Sequence, residues 1–363
     1  MQTNRDLDIK EEIKKYVTFL KEYDGETLRL MEVCGSHTAA ISKSGIKKII
    51  SPKIKLISGP GCPVCVSPSA FVDRLIELGK KGAHIVSFGD MMRIPGSTST
   101  LNEEKGKGLL ASYVYSPLDI IEMAKKEPER KFIFAAVGFE TTIPTYTLLL
   151  DRIIEENITN IKLLTALKTM PEAIDFLCMN KCDIDGFIAP GHVSVITGSD
   201  AFNEVSSKYK MPMAVTGFSP YELVLGIYAL TNTCINKEKY ISMGKSLVGN
   251  YYKSVVETNG NQKAQKQIDK YFRKGDAIWR GMGNIPNSGL YLKDEYLKYD
   301  AGSQNLNDDK KINKACRCSD VLMGKISSKE CPLFKKICNP LTPQGACMVS
   351  SEGSCYQAFK NND

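Results

Sequence analysis

The chain has 363 residues, 42% hydrophobic and 25% charged, with 48 basic against 41 acidic side chains and a formal net charge of +7. That length supports two or three domains with cores of their own, and there is neither an internal repeat nor a low-complexity tract. The charges are scattered and aromatics are not interleaved with them, so Lys310-Lys311 and Lys335-Lys336 read as solvated faces or a docking patch, with no nucleic acid as partner. No apolar run approaches the length of a membrane span; Ile120 to Met123 and Tyr146 to Leu150 are soon interrupted, so no membrane partner is expected. The N-terminus, Met1 to Asp8, shows no basic n-region, apolar h-region or cleavage site, and the expected location is the cytoplasm.

In chain order, a first helix is expected from about Asp6 to Lys21. From Leu28 to about Pro220 short apolar runs alternate with amphipathic segments, the pattern of βαβ units on a largely parallel sheet. The expected strands are Leu28–Val33, Ile54–Ile57, Ala83–Phe88, Phe132–Val137, Ile161–Ala166, Gly186–Ala189 and Met213–Val215. Ser67-Pro68, Ser116-Pro117 and Ser219-Pro220 each read as an N-cap followed by proline at the first helical position. Beyond Pro220 the pattern is helical to about Lys274 and then irregular into a cysteine-rich tail. The expected fold is α/β: two parallel-sheet domains, 30–128 and 129–218, facing a cleft and divided near Lys125 to Arg130. A third, helical and loop-rich iron-sulfur part spans 219–363, with 1–29 packing on it.

Four unusual sequences follow predicted strands: Cys34-Gly-Ser-His37, Gly59-Pro-Gly-Cys-Pro-Val-Cys65, Gly138-Phe-Glu-Thr-Thr142 and Pro190-Gly-His-Val-Ser194. In open α/β sheets ligands bind beyond the carboxyl ends of strands, so these four are expected to converge. Cys62 and Cys65 have the spacing to form a disulfide or share a soft metal, next to a helix start that lowers a thiol pKa. Cys34 and His37, three residues apart, could ligate one metal, form a nucleophile pair, or merely pack. Glu140 could be a general base or orient one, and Thr141 and Thr142 could cap the following helix. His192 at a strand end faces the crevice or is a satisfied loop histidine. His84, Cys178, Cys182 and Cys234 read as core residues. Arg280-Gly-Met-Gly-Asn284 resembles a nucleotide loop only superficially, because no strand is expected before it and there is no Walker A sequence.

Six of the twelve cysteines crowd the tail: Cys316, Cys318, Cys331, Cys338, Cys347 and Cys355. In a reducing compartment such clusters bind metal or do redox work more often than they staple loops. One C-x-C, wide later gaps and no histidine argue against zinc. Four thiolates for a [4Fe-4S] cluster would leave two for thiol-disulfide exchange.

Taken together, Met31-Glu-Val-Cys-Gly-Ser-His-Thr38, Gly59 to Cys65, Gly138 to Thr142, Pro190 to Ser194, Trp279-Arg-Gly-Met-Gly283 and Cys347-Met-Val-Ser-Ser-Glu-Gly-Ser-Cys355 resemble the hydrogenase maturation factor HypD family over nearly the whole chain. The resemblance implies a scaffold on which the Fe(CN)2CO unit of [NiFe]-hydrogenases is assembled, with a HypC-type chaperone and a HypE cyanide donor as partners. It implies that Cys34 holds the iron with the chaperone's own cysteine, with Cys62 and Cys65 as further sulfurs in a water-poor cleft. Many members carry a second histidine two residues after the one matching His37; here that position is Ala39. A similarity to ferredoxin:thioredoxin reductase implies Cys316, Cys331, Cys338 and Cys355 as cluster ligands, with Cys318 and Cys347 as a redox dithiol feeding the Cys62–Cys65 pair. The alternatives are a stand-alone cluster-dependent thiol-disulfide oxidoreductase and a zinc-stabilised interaction module.

Overall fold

A computed structural model describes residues 4–304, 306, 309–310 and 313–361, with side chains from residue 11 onward; Lys311, half of one expected basic pair, lies outside the described residues. The described residues contain eleven strands: β1 (Leu28–Glu32), β2 (Ile54–Ser58), β3 (His84–Ser87), β4 (Ala111–Tyr113), β5 (Phe132–Gly138), β6 (Ile161–Lys168), β7 (Gly186–Ala189), β8 (Met213–Val215), β9 (Val248–Asn250), β10 (Phe272–Trp279) and β11 (Gly283–Leu292). They form two sheets, in the orders β2-β1-β7-β8-β9 and β10-β11-β6-β5-β3-β4. The first is parallel throughout. The second is parallel from β4 to β6 and antiparallel through β11 and β10.

The α/β class expected from the sequence is the class observed. The apolar runs are strands because both sheet faces are covered: β5, Phe-Ile-Phe-Ala-Ala-Val-Gly, is buried at every residue. The division at 128/129 does not follow the sheets. Residues 84–113 supply β3 and β4 to the sheet of β5, whereas 186–250 supply β7, β8 and β9 to the sheet of β1. Strand neighbours are chosen by burial across the whole chain, which a linear boundary ignores.

Three local expectations change. Of the three serine caps only Ser219 acts as one, its Oγ accepting from Glu222 N while Glu222 returns to the Ser219 N–H. Ser67 Oγ instead donates to Pro63 O, and the helices after it and after Ser116 begin two or three residues later, at Ser69 and Asp119. The stretch beyond Pro220 is helical only over Pro220–Ile235, Lys237–Ser242 and Gln262–Tyr271; it then turns into the β10–β11 hairpin. Strand β10 directly precedes Arg280, so Arg280 to Met282 are a hairpin turn, with Gly281 at φ +75°.

The helix Asn4–Glu22 packs on Pro220–Ile235, inside the 219–363 stretch, where Tyr16 stacks on Tyr228 at 4.5 Å, and together they cover the first sheet. Of the four buried clusters among the described residues, one joins the first sheet to the hairpin and the cysteine-rich tail. Met31, Phe187 and Val215 of the first sheet, Trp279 and Ile285 of the hairpin, Cys62 and Cys65, and all six tail cysteines belong to a single buried cluster.

Candidate functional site

Strand β1 connects outward to β2 on one side, while its other neighbour β7 connects away to β8. Adjacent strands whose connections diverge leave a crevice at their carboxyl ends. Cys34 follows β1, Gly59 to Cys65 follow β2, and Pro190 to Ser194 follow β7, so three of the four unusual sequences meet there.

Cys34 is the N-cap of the helix Gly35–Ser44 and is 7% exposed. Burial pushes its thiol up to about 12, while the nearby backbone N–H groups of His37 and Ser36 pull the other way without forming a cap hydrogen bond to the sulfur. Those N–H groups stabilise the thiolate that a bound metal would create. Beneath it Glu32, 2% exposed, accepts from Cys34 N at 3.2 Å and Thr38 Oγ1 at 2.5 Å, and burial raises its carboxyl to about 7. Sequence reasoning passed over Glu32; its signal was an acid ending the strand Leu-Arg-Leu-Met-Glu directly before the cysteine motif.

His37 Nε2 lies 3.1 Å from both Thr216 O and Gly217 O. Two carbonyls require that this nitrogen carry the proton, which leaves the buried Nδ1 as an unpartnered acceptor. Burial holds the ring neutral, its pKa lowered to about 4. Phe218, also unanticipated, lies between His37 at 4.5 Å and the exposed His192 at 4.0 Å. Burial lowers the His192 pKa as well. Ala39 is a half-buried helix position.

The sulfurs of Cys62 and Cys65 are within disulfide reach, with Cα atoms 5.2 Å apart. Paired with each other they present no thiolate to an iron, so in this form the expected metal set of Cys34, Cys62 and Cys65 is reduced to Cys34. Cys65 Sγ stands 3.7 Å from Ala346 O, next to Cys347. The tail also reaches Cys34: Ser36 Oγ donates to Glu352 Oε1 at 2.9 Å, and a Cβ on Gly35 would meet Glu352 Cβ at 2.4 Å.

All six tail cysteines are buried. After burial, Cys316 is influenced most by Cys318, then by Cys331 and Cys355 among the other thiols, and Cys338 by Cys355 and Cys331. Cys347 interacts with Cys318 and lies 3.1 Å from Cys355, sulfur to sulfur. Among the described residues, no three His, Cys, Asp or Glu side chains are arranged on a single metal ion. A cubane spreads its thiolates over four irons, so the test is the donor set instead. Cys316 and Cys338 each sense Cys331 and Cys355, so these four soft donors share one neighbourhood, with Cys318 beside Cys316 and Cys347 beside Cys355 in the same group. The N–H groups of Gln344 and Gly345 point at Cys338 Sγ, and a Cβ on Gly345 would fall 2.7 Å from Cys316 Sγ. These features fit a four-thiolate cluster.

The fourth unusual sequence departs from the others. Phe139 stacks on Trp279 at 5.7 Å within the shared core, but Glu140 Oε1 accepts from Met170 N at 2.9 Å, beside Glu172 and Lys274. It serves the helix after β6, because β5 belongs to the other sheet. Thr142 precedes its helix without a side-chain cap bond. Arg280, 8% exposed, is a brace, Nε donating to Ser67 O at 2.6 Å and Nη2 to Pro95 O at 2.8 Å. Of the expected core residues Cys178 is buried, Cys182 and Cys234 are half-buried, and His84 pairs with Ser112 Oγ at 2.9 Å near the sheet edge.

The family model HypD, described as the hydrogenase formation hypA family, matches residues 8–362. The chain belongs to the HypD family. The hydrogenase maturation factor HypD of Escherichia coli K12 is 38% identical over 360 residues, covering 95% of this chain and 92% of that protein. The HypD proteins of Rhodobacter capsulatus (37% identical, 90% of this chain and 88% of the relative) and Rhizobium leguminosarum (34%, 97% and 92%) match over similar spans. Family membership gives this chain a role in hydrogenase maturation. No described helix is long and apolar enough to cross a membrane.

Proposed function

We propose that the chain is the platform on which the Fe(CN)2CO unit of [NiFe]-hydrogenases is assembled, the iron resting on Cys34 and on a cysteine of a HypC-type chaperone while a HypE-type protein delivers cyanide. The observation that carries this reading is the setting of Cys34, a buried thiol at a strand-order reversal, at the start of the helix Gly35–Ser44 and above the buried Glu32. Low-spin iron with cyanide and carbonyl ligands suits a thiolate donor, and burial keeps water from the cargo. His37 Nδ1 supplies an acceptor facing no other partner, and His192 a ring held neutral beside it.

The Cys62–Cys65 pair acts as a two-electron store: as dithiol it releases two electrons and two protons when the S–S bond forms, and it takes them up when the bond breaks. A [4Fe-4S] cluster held by Cys316, Cys331, Cys338 and Cys355 would supply one-electron chemistry next to these thiols. The contact of Cys65 Sγ with Ala346, the residue preceding Cys347, supports an exchange route through Cys347 and its neighbour Cys318. That same contact favours the second reading, a stand-alone thiol-disulfide oxidoreductase.

The deciding experiment is infrared spectroscopy with iron and acid-labile sulfide analysis on anaerobically purified protein co-produced with its chaperone, comparing wild type with Cys34→Ala. Cyanide and carbonyl bands lost in the variant support the platform. Cluster iron without such bands in the wild type leaves the oxidoreductase.

A further inference from the structure

Strand β2 is the outer strand of the first sheet, and its hydrogen-bond pattern is fixed at both ends: Leu28 N donates to Lys53 O at 2.8 Å, and Gly59 N to Glu32 O at 2.8 Å. Leu28, Leu30 and Glu32 are in register with Ile54, Leu56 and Ser58. A parallel ladder of that register turns the backbone of Lys55 and Ile57 toward β1, so Ile54, Leu56 and Ser58 direct theirs outward. Ile54 N finds Ser51 O at 3.0 Å, but the N–H groups of Leu56 and Ser58 and the carbonyls of Ile54 and Leu56 make no hydrogen bond to a described residue. With five residues against three in the edge strands β4 and β9, β2 offers the longer template for another strand.

This edge forms one wall of a groove of about 720 Å³, and tail residues 324–330 form the other. Leu56 and Ser58 are half-buried in it. The charge of the groove defines its occupant. Arg29, Lys47, Lys55, Lys325 and Lys329 line it against Glu330 alone. Arg29 is engaged by Asp183, and Glu330 is turned to Ser327 N. Lys55, Lys325 and Lys329 are exposed and form no ion pair among the described residues. Such an edge repels the equally basic edge of a second copy and admits an acidic strand. The groove also includes Ser58 and Thr38, which hydrogen-bond to Glu32 beneath Cys34. We propose that β2 docks an extended acidic segment of a partner protein, which pairs with the outward backbone of Ile54, Leu56 and Ser58 as a further strand of the first sheet while its carboxylates meet Lys55, Lys325 and Lys329. Docking of this kind needs neither the iron nor the cluster, and it seats a partner against the support of Cys34.

The test is fluorescence anisotropy of a labelled hexapeptide of alternating glutamate and valine titrated with the full chain, the lysine–valine hexapeptide and the fully N-methylated acidic peptide serving as matched probes. The acidic peptide should saturate, and the other two should bind at least about tenfold more weakly. In its presence the amides of Leu56 and Ser58 should exchange hydrogen about tenfold more slowly. Leu56→Pro removes an outward donor and no ladder bond to β1, so it should weaken binding about tenfold, whereas Leu56→Val keeps the N–H and should bind as wild type. Lys55→Glu combined with Lys329→Glu should abolish binding; circular dichroism establishes that each variant is folded, and the charge variant and the exchange rates decide if the proline variant is not. No saturation by the acidic peptide, equal binding of either matched probe, unchanged exchange at Leu56 and Ser58, or wild-type binding by a folded Leu56→Pro would each overturn the proposal. So would a concentration-dependent dimer that is lost in Leu56→Pro, which would give the edge to a second copy.

Discussion

Gly61 lies directly against the backbone of Cys34: a Cβ there would stand 2.3 Å from the Cys34 nitrogen and 2.5 Å from its α-carbon, while Gly35 N donates to Gly61 O at 2.9 Å. This contact joins the loop after β2 to the start of the helix after β1, and neither backbone can retreat without opening the crevice. Gly61→Ala should therefore destabilise the fold by about 1–3 kcal/mol through overpacking and abolish hydrogenase maturation. Thermal unfolding and a complementation assay check both; an alanine variant of wild-type stability and activity would show that the two segments need not touch.

Gly345 plays the matching part in the tail, its missing side chain leaving room beside Cys316 Sγ. Gly345→Ala should lower iron and acid-labile sulfide per chain to less than half the wild-type content while circular dichroism stays unchanged. Full iron and sulfide in the variant would exclude Cys316 from the ligand set.

Glu140 sets a pH dependence. Burial raises its carboxyl from 4.5 to about 8, against smaller opposing effects of the Met170 N–H and Lys274 and a reinforcing one from Glu172. The native state therefore prefers the protonated acid. Its stability contribution is full below pH 4.5 and is lost as pH rises through 8, by at most about 1.4 kcal/mol per pH unit. Glu140→Gln keeps an acceptor for Met170 N and removes the titration. In urea unfolding the variant should match wild type near pH 4.5 and exceed it at pH 8; parallel profiles would refute the assignment.

Arg280 ties the hairpin turn to Ser67 O and Pro95 O, with Asp309 at 4.0 Å. A lysine carries the charge but not the fork that reaches two carbonyls at once. Arg280→Lys should lower the urea midpoint by the equivalent of about 1.5–3 kcal/mol with an unchanged slope. A midpoint equal to wild type would mean that the turn is held by the hairpin ladder alone.

The cysteine, histidine and glycine motifs, the α/β class and seven of the eleven strands were legible in the amino-acid order. Buried parallel strands are continuous apolar runs, and reactive residues cluster where such runs end. Three of the other four escaped for identifiable reasons. β4 and β9 have only three residues each, too few for a period, and β10 alternates exposed Arg273, Lys274 and Asp276 with buried positions, resembling the end of a charged helix. Glu32 and Phe218 carry no motif of their own. They matter because folding sets one beneath Cys34 and the other between two histidines.

The sequence by itself determined which side chains carry chemistry and where the backbone turns, since these follow from residue type and local spacing. Only the tertiary structure decided that β1 pairs with β7 rather than with β3, that Glu140 leaves the cysteine site for the helix after β6, and that Gly345 packs beside Cys316 while Ala346 brings the tail to Cys65. Those outcomes depend on which apolar faces bury each other across hundreds of residues, and that competition has no local signature in the chain.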